Sequence, residues 1–373
     1  MKLIQGLFAP THRVLERPAR IVALGGDGIG PEVVDSAVRC LQALLLPIKI
    51  HTPAHGSETI QTHDTALPDE VRQLCLDADA ILFGAVETAS VEILRFLRFE
   101  LDCYANLRPA VTLKNVAAHS HRVQEADANL VIVRELTEGM YPGREGQLPE
   151  FHSHWSEFRD RLHRPLPQDG YFALRVITES ASRRIGRYAA QLAAQRQASG
   201  IGMGKVTIVT KANILPQTDG LFLRCCEQEA QAIDGITVEH LYVDEAARQL
   251  VAQPTHFDVL VTSNLFGDIL SDIATEVVSS LPLAPSAAIG TRHAYFEAVH
   301  GSAPDIAGKG IANPIGAILS AAMLLAYLGY EEAGQQLEWA IENALASGCC
   351  TPDLGGTAST EQLTTVICNE LRR

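Results

Sequence analysis

A series of short apolar runs, each closing on a glycine or a polar residue and alternating with helical stretches, constrains this chain most. Arg20–Leu24, Ala80–Val86, Leu130–Val133, Lys205–Thr210 and Phe257–Val261 have strand length and read as strands, most of them buried, and Thr237–Val243 reads as a further strand. Strands that alternate with helices build a mostly parallel sheet in an α/β fold. Ligands of such sheets gather at the strand ends. With 373 residues the chain is long enough for two domains, and its 47% hydrophobic content can fill two cores.

Thr262-Ser263-Asn264-Leu265-Phe266-Gly267-Asp268-Ile269-Leu270-Ser271-Asp272 follows the last of these runs. After Gly267 the apolar residues return at helical spacing, which puts Asp268 and Asp272 on one helix face. Two carboxylates one turn apart repel by roughly 0.2–0.5 kcal/mol in an isolated helix unless a cation sits between them. Carboxylate oxygens are what hard Mg²⁺ or Mn²⁺ prefers. An exposed acidic face would carry the same spacing, but the strand-to-helix junction favours a site.

Arg20–Leu24 leads into Gly25-Gly26-Asp27-Gly28-Ile29-Gly30-Pro31-Glu32 and a helix to about Leu45. The glycines run G-x-G-x-G, Pro31 takes the next position, and no acidic residue ends a second strand about 20 residues on. The Rossmann fingerprint is therefore not met, although such a turn still admits a ligand close to the backbone. Residues 91–108 read as a helix running into a strand, with Arg95 and Arg98 on one face and Arg108 beyond the helix end. Surface pairs, Arg98 with Asp102 and Arg95 with Glu92, are the ordinary use of such arginines. Leu130–Val133 then delivers Arg134 and Glu135, ahead of Thr137-Glu138-Gly139-Met140-Tyr141. Four arginines so close together, two at element ends, look more like a polycarboxylate clamp than scattered solvated charge.

Residues 143–170, rich in Gly, Pro, His and charge, are expected to form a protruding arm, and His152, His154 and His163 show no metal-ligand spacing. An amphipathic helix follows from Ala181 to about Ala198. Lys205–Thr210 ends at Lys211-Ala212-Asn213-Ile214-Leu215-Pro216, where a lysine with apolar neighbours can serve as a general base. After a helix near Leu221–Ala232, Thr237–Val243 delivers Asp244. Ala294–Pro314 reads as one long loop, of a length that is usually functional, before an apolar Ile315–Leu328 helix and a last amphipathic helix.

The net charge of −14 argues against nucleic acid or an anionic membrane surface as a partner. Any anionic substrate must meet a local basic cluster, which screening beyond roughly 8–10 Å permits. The eight cysteines form no C-x-x-C or zinc spacing and suit free thiols in a reducing cytoplasm. Ile315–Leu328 is too short to span a bilayer and is interrupted by Gly316 and Ser320. Leu3–Pro10 is short for a signal segment and lacks an A-x-A site. Residues 1–19 are read as an extension of unassigned purpose.

Five motifs together resemble the β-decarboxylating dehydrogenases, the isocitrate/isopropylmalate dehydrogenase family, from about Arg20 to the C-terminus. They are Gly-Asp-Gly-Ile-Gly-Pro-Glu at 26–32, Tyr-Ala-Asn-Leu-Arg-Pro at 104–109, Lys-Ala-Asn-Ile-Leu at 211–215, Asn-Leu-Phe-Gly-Asp-Ile-Leu-Ser-Asp at 264–272 and His-Gly-Ser-Ala-Pro-Asp-Ile-Ala-Gly-Lys-Gly-Ile-Ala-Asn-Pro at 300–314. The resemblance implies a two-domain α/β fold with a mostly parallel sheet, not a Rossmann fold. Residues 20–103 and 279–373 would form a large domain with the NAD-binding loops. Residues 104–278 would form a small domain with the dimer interface, the arm and the metal site. It implies a homodimer and leaves further pairing to a tetramer open. On this sequence it makes Arg98, Arg108 and Arg134 the binders of malate-like carboxylates, and Asp244, Asp268 and Asp272 the ligands of Mg²⁺ or Mn²⁺. Lys211 and Asp244 would complete the site of the partner subunit. Lys211 would help remove the hydroxyl proton before hydride passes to nicotinamide, and Tyr141 would protonate the enolate left by decarboxylation. His300, Gly301, Ser302, Ala303 and Asn313 resemble the family's adenosine pocket. NADP-using relatives tend to carry Lys-Tyr where this chain has Asp305-Ile306, and a carboxylate accepts from a ribose 2′-hydroxyl but repels a 2′-phosphate, which implies NAD.

Isopropylmalate enzymes resemble E-x-x-L-L-x-x-R ahead of the first clamp arginine, whereas this chain reads Val91-Glu92-Ile93-Leu94-Arg95-Phe96-Leu97-Arg98. An arginine at position 95 is similar to homoisocitrate dehydrogenases, in which it meets an extra distal carboxylate. Arg95 buried against an isopropyl group would be an unpaired charge, costing about several kcal/mol. Homoisocitrate is the first expectation and isocitrate the second, and a phosphonate analogue of homoisocitrate would also satisfy Arg95. Leu136 departs toward the isopropylmalate pattern, and Ala298, Glu245-Ala246 and the arm depart from the family's usual residues. The alternatives are oxidation of 3-isopropylmalate, D-malate or tartrate, and a non-catalytic regulatory subunit. That last type lacks metal aspartates, lysine or tyrosine, all of which this chain retains.

Overall fold

Every one of the apolar runs becomes a strand. A computed structural model describes residues 2–8, 17–113, 127–167 and 169–372. The strands are β1 (Ala19–Gly26), β2 (Ile48–His51), β3 (Ala80–Ala85), β4 (Ala105–Val111), β5 (Asn129–Glu135), β6 (Glu145–Gln147), β7 (Tyr171–Ala173), β8 (Lys205–Thr210), β9 (Thr237–Tyr242), β10 (Val259–Thr262), β11 (Pro285–Ile289) and β12 (Ala294–Ala298). The helices are α1 (Gly30–Ala43), α2 (Ser57–His63), α3 (Asp69–Asp77), α4 (Val91–Arg95), α5 (Leu148–His154), α6 (Glu179–Ala198), α7 (Thr218–Gln231), α8 (Val243–Ala252), α9 (Asn264–Val278), α10 (Ile315–Tyr327), α11 (Glu331–Ala346) and α12 (Thr360–Leu371).

Ten strands form one sheet in the order β2-β1-β3-β12-β11-β4-β5-β10-β8-β9, while β6 and β7 pair on their own in the arm. Two parallel wings, β2-β1-β3-β12 and β5-β10-β8-β9, meet through antiparallel pairings of β11 with β12 and β4, and of β4 with β5. That mixed centre separates the fold from the Rossmann type, whose sheet is mostly parallel throughout. The sheet runs unbroken between the two expected domains, with Ala287 of β11 opposite Leu107 of β4. Every residue of α10 is buried, as a helix apolar on all sides must be. Among the described residues no helix is long and apolar enough to cross a membrane, and all eight cysteines are free.

Some expectations change. Ala294–Pro314 is not a loop throughout, because its first five residues are β12, buried between β3 and β11. The carboxylate of Glu297 and the shortness of the run masked this strand. Helix α9 begins at Asn264 rather than after Gly267, with Ser263 extended at the N-cap (φ −69°, ψ 166°). The arm is more regular than its composition suggests: Phe151 of α5 packs against Trp155, Phe158 and Phe172 at ring separations of 4.6, 5.8 and 4.9 Å. His154 and His163 are exposed, and the His152 side chain lies outside the described residues.

Residues 9–16 of the N-terminal extension lie outside the described residues, but residues 2–8 are part of the core. Leu3, Ile4 and Leu7 are at most 3% exposed. The Leu3 and Ile4 amides both donate to Glu338 Oε1 at 2.9 Å, and Phe8 stands edge-on to Phe296 and Tyr327 at 6.4 and 5.7 Å. Burial pushes the Glu338 carboxyl up to about 7, against the pull of those amides. A second buried charge is paired outright: Arg196 of α6 lies 2.7 Å from Asp258, which also accepts from the Met203 and Gly204 amides at 2.8 and 2.9 Å.

Candidate active site

Strand β5 and helix α9 set the centre. Arg134 closes β5 and reaches across to α9, where its Nε and Nη2 donate to Asn264 Oδ1 at 2.9 and 2.7 Å and its Nη1 donates to Asp268. Gly267 makes room for this reach, since a Cβ there would stand 2.6 Å from Arg134 Cγ. The second oxygen of Asp268 accepts from the Tyr141 hydroxyl, and the Arg134 guanidinium lies 4.9 Å from the centre of the Tyr141 ring. Arg108 in β4 donates to Asn106 Oδ1 at 2.8 Å and to Ser271 Oγ at 3.3 Å. Its Nη atoms lie 3.9 Å from Asp268 and 3.7 Å from Asp272. Arg98, in a single π-helical turn after α4, donates to the Tyr295 hydroxyl at 3.4 Å.

Three guanidinium groups, Arg98, Arg108 and Arg134, crowd together with the carboxylates of Asp268, Asp272 and Glu297. Arg134 is pulled down to about 10, by burial first and then by the charge of Arg108, with Asp268 acting against them. Guanidinium groups crowded in this way favour anionic partners. Burial works to raise Asp268, but the Arg134 charge and the Tyr141 hydroxyl outweigh it. Asp272, half exposed, is pushed up by burial, with Arg108 opposing and Asp268 adding. Both Asp268 oxygens are engaged, by Arg134 and Tyr141, while Asp272 is half exposed with Arg108 at 3.7 Å; two carboxylates one turn apart are the donor type that suits a hard divalent ion. Burial and the hydrogen bond to Asp268 both raise the Tyr141 phenol, which therefore keeps its proton. Glu297 was not singled out in the sequence. It is buried, its carboxyl is pushed up by that burial, and Arg98, Arg108 and Arg134 hold it down. A lone carboxylate in an otherwise apolar strand is the signal that would have found it.

Lys211 at the end of β8 and Asp244 in the first turn of α8 pair with each other. Among the described residues no three metal-type side chains converge. One chain therefore brings Asp268 and Asp272 together without Asp244. Arg95 is exposed and makes no hydrogen bond or ion pair among the described residues. The two surface pairs do not form: Asp102 accepts from Arg184 at 2.8 Å, and Glu92 lies 3.5 Å from Arg72.

The loop at 299–314 meets the glycine loop. Gly28 (φ +62°) presses so closely that a Cβ would stand 2.0 Å from the Ser302 carbonyl, which accepts from the Ile29 amide at 2.8 Å. His300 donates from Nδ1 to the Gly301 carbonyl at 3.0 Å, leaving Nε2 buried without a partner among the described residues. Burial lowers its pKa, so the imidazole is neutral. A Cβ on Gly301 would meet nothing within 4 Å, and Asp305 is exposed. An unsatisfied acceptor beside open backbone and a free carboxylate fits a nucleoside with ribose hydroxyls. Ala303 carries a left-handed backbone (φ +39°) at the bend of this loop. Asn313 is committed elsewhere, to Asp353 at 2.8 Å and the Ile315 amide at 3.0 Å, and shapes the loop's end.

Residues 20–370 match the isocitrate/isopropylmalate dehydrogenase family. The chain is 43% identical over 353 residues to the 3-isopropylmalate/3-methylmalate dehydrogenase of Methanocaldococcus jannaschii, spanning 95% of this chain and 99% of that one. It is also 43% identical over 359 residues to the isocitrate/homoisocitrate dehydrogenase of Thermus thermophilus, spanning 95% and 98%. The crystal structure of isocitrate dehydrogenase from Methylococcus capsulatus matches with a TM-score of 0.81 at 36% identity, over 95% of this chain and 100% of that one. With these matches, and with an arginine cluster facing a paired-acid helix at the centre of the fold, the chain belongs to the isocitrate/isopropylmalate dehydrogenase family and is an oxidatively decarboxylating dehydrogenase of a hydroxy acid.

Proposed function

We propose that this enzyme carries out NAD- and Mg²⁺- or Mn²⁺-dependent oxidative decarboxylation of a malate bearing a third anionic group, homoisocitrate or isocitrate. Arg95 carries the proposal: an exposed guanidinium without a partner among the described residues stands three residues before Arg98. Arg98, Arg108 and Arg134 hold the two malate carboxylates, and Arg95 meets the third. Asp268 and Asp272, with Asp244 from a second copy, hold the divalent ion. When bound, that ion polarises the C2 oxygen and spreads the charge left by decarboxylation. His300, Gly301, Ser302, Ala303 and Asp305 would seat NAD, which would supply the hydride acceptor. Lys211, also from the second copy, takes the hydroxyl proton, and the protonated Tyr141 phenol returns one to the carbon that has lost CO₂.

The pairing of two copies has support around these residues. Tyr242, Val251 and Ile269, on or beside α8 and α9, are apolar side chains 40%, 43% and 52% exposed, which a second copy seated here would cover. A second reading, 3-isopropylmalate as substrate, is favoured by Leu136, which is buried where tricarboxylate enzymes usually carry Asn. A substrate panel decides between them: NADH formation by the pure protein with Mn²⁺ on homoisocitrate, isocitrate, 3-isopropylmalate, D-malate and tartrate, repeated with NADP. Tricarboxylates with NAD are expected to lead. Much faster turnover of 3-isopropylmalate removes the case for Arg95, and a severalfold preference for NADP removes that for Asp305.

A further inference from the structure

Arg175 lies just beyond the arm's second strand and takes no part in the chemistry above, yet its guanidinium joins elements that serve different halves of it. Its Nη1 is 2.6 Å from Asp219 Oδ1 and donates to Thr218 Oγ1 at 2.9 Å. Its Nη2 donates to Ser263 Oγ at 3.1 Å, and the group lies 5.6 Å from the centre of the Phe266 ring. Thr218 and Asp219 open α7, and the buried Asp219 accepts the Lys211 main-chain amide at 2.6 Å. Ser263 stands at the N-cap of α9 but makes no capping bond from its side chain. A single fork therefore ties the lysine end of β8 to the first turn of the helix that carries Asp268 and Asp272.

We propose that Arg175 is a positioning residue that sets Lys211 against α9 and thereby joins the two active sites of a dimer. This rests on the shared-site reading above, in which a chain's Asp268 and Asp272 serve its own site while its Lys211 and Asp244 serve the site of the second copy. The planar guanidinium suits the task because its two Nη atoms address two elements at once, whereas a lysine ammonium cannot hold the same fork. Asp219 is also too deeply buried to lose its cation without a partner.

Mixed dimers test the idea. K211A and D268N homodimers each lack one part of every site, while a dimer of one K211A chain and one D268N chain, isolated by two different tags, keeps one complete site. Recovery of activity on mixing is the expected first result, and none at all overturns the shared sites and with them the coupling. R175M is then placed on one chain at a time. On the D268N chain it disturbs the lysine delivered to the surviving site, and on the K211A chain it disturbs that site's acid helix. Both placements should lower kcat by ~10–100-fold, the scale of a displacement of about an ångström, with KM for NAD unchanged. Mixing that restores activity, with kcat per folded dimer unaffected by R175M in both placements, overturns the role of Arg175 alone. Should R175M fail to fold, R175K decides, since it keeps a cation for Asp219 but not the bond to Ser263. It should spare kcat on the lysine side and lower it on the acid-helix side, and equal effects on the two sides overturn the proposal.

Discussion

Replacing Arg95 with leucine isolates one charge at little structural cost. Arg95 is exposed and without a partner among the described residues, so its loss breaks no internal contact, and stability should move by no more than about 0.5 kcal/mol. Everything the guanidinium contributes then appears in catalysis. A charge-assisted hydrogen bond to a distal carboxylate is worth about 1.5–3 kcal/mol once desolvated, but only about 0–1 kcal/mol if the pair stays in water. At 1.4 kcal/mol per tenfold, the desolvated case lowers kcat/KM for homoisocitrate and isocitrate by ~10–150-fold, and the wet case by ~5-fold or less. D-Malate has no third carboxylate and should change by less than ~3-fold on the same scale. The assay is initial-rate NADH formation at fixed Mn²⁺ with each substrate, run in parallel with thermal melts. An equal loss on D-malate would show that Arg95 belongs to the common clamp, and no loss on the tricarboxylates would refute its contact with them.

Three further outcomes are expected. Glu338 has its pKa raised by burial to about 7, above its unfolded value of about 4.3. It binds its proton more tightly when folded, so its contribution to stability is complete below the unfolded pKa and is lost as the pH rises through about 7. Melting temperature followed across that window should fall in the parent and be flatter in E338Q, and parallel curves would refute the assignment. R196M strands the buried carboxylate of Asp258 at a cost of about 3–5 kcal/mol. With unfolding entropy near 2.1 cal/mol/K per residue, melting should drop by about 4–6 °C, and R196M/D258N should recover part of it. Chelation should abolish activity and Mn²⁺ restore it. Supporting groups alone change metal affinity by about 10–100-fold, so the Mn²⁺ requirement of D272N should rise at least ~10-fold, and an unchanged requirement would remove Asp272 from the metal.

The strands and the centre of the site were legible because apolar runs and the spacing around Asp268 report local structure. Local rules failed where the backbone left its expected path. Arg98 was given Asp102 by helical spacing, but the chain passes through a π-turn and Asp102 adopts a left-handed backbone (φ +48°), so Asp102 turns to Arg184 instead. Partners far apart in sequence leave no periodic trace. Nothing near Leu3 and Ile4 points to Glu338, and nothing near Arg175 points to Asp219 or Ser263. The strand at Ala294–Ala298 exists because β3 and β11 pair its two edges and α10 packs on it, which composition alone does not reveal.

That last strand also dictates an order of events during synthesis. Strands β1, β2 and β3 emerge first, yet β12 is what links them to the remainder of the sheet. Until Ala294 leaves the ribosome, Ala80–Ala85, all apolar, presents a raw edge of the kind that templates aggregation. The yield of this nascent N-terminal segment, which ends at Ala85, should therefore respond to chaperone supply or to the speed at which the intervening roughly two hundred residues are translated.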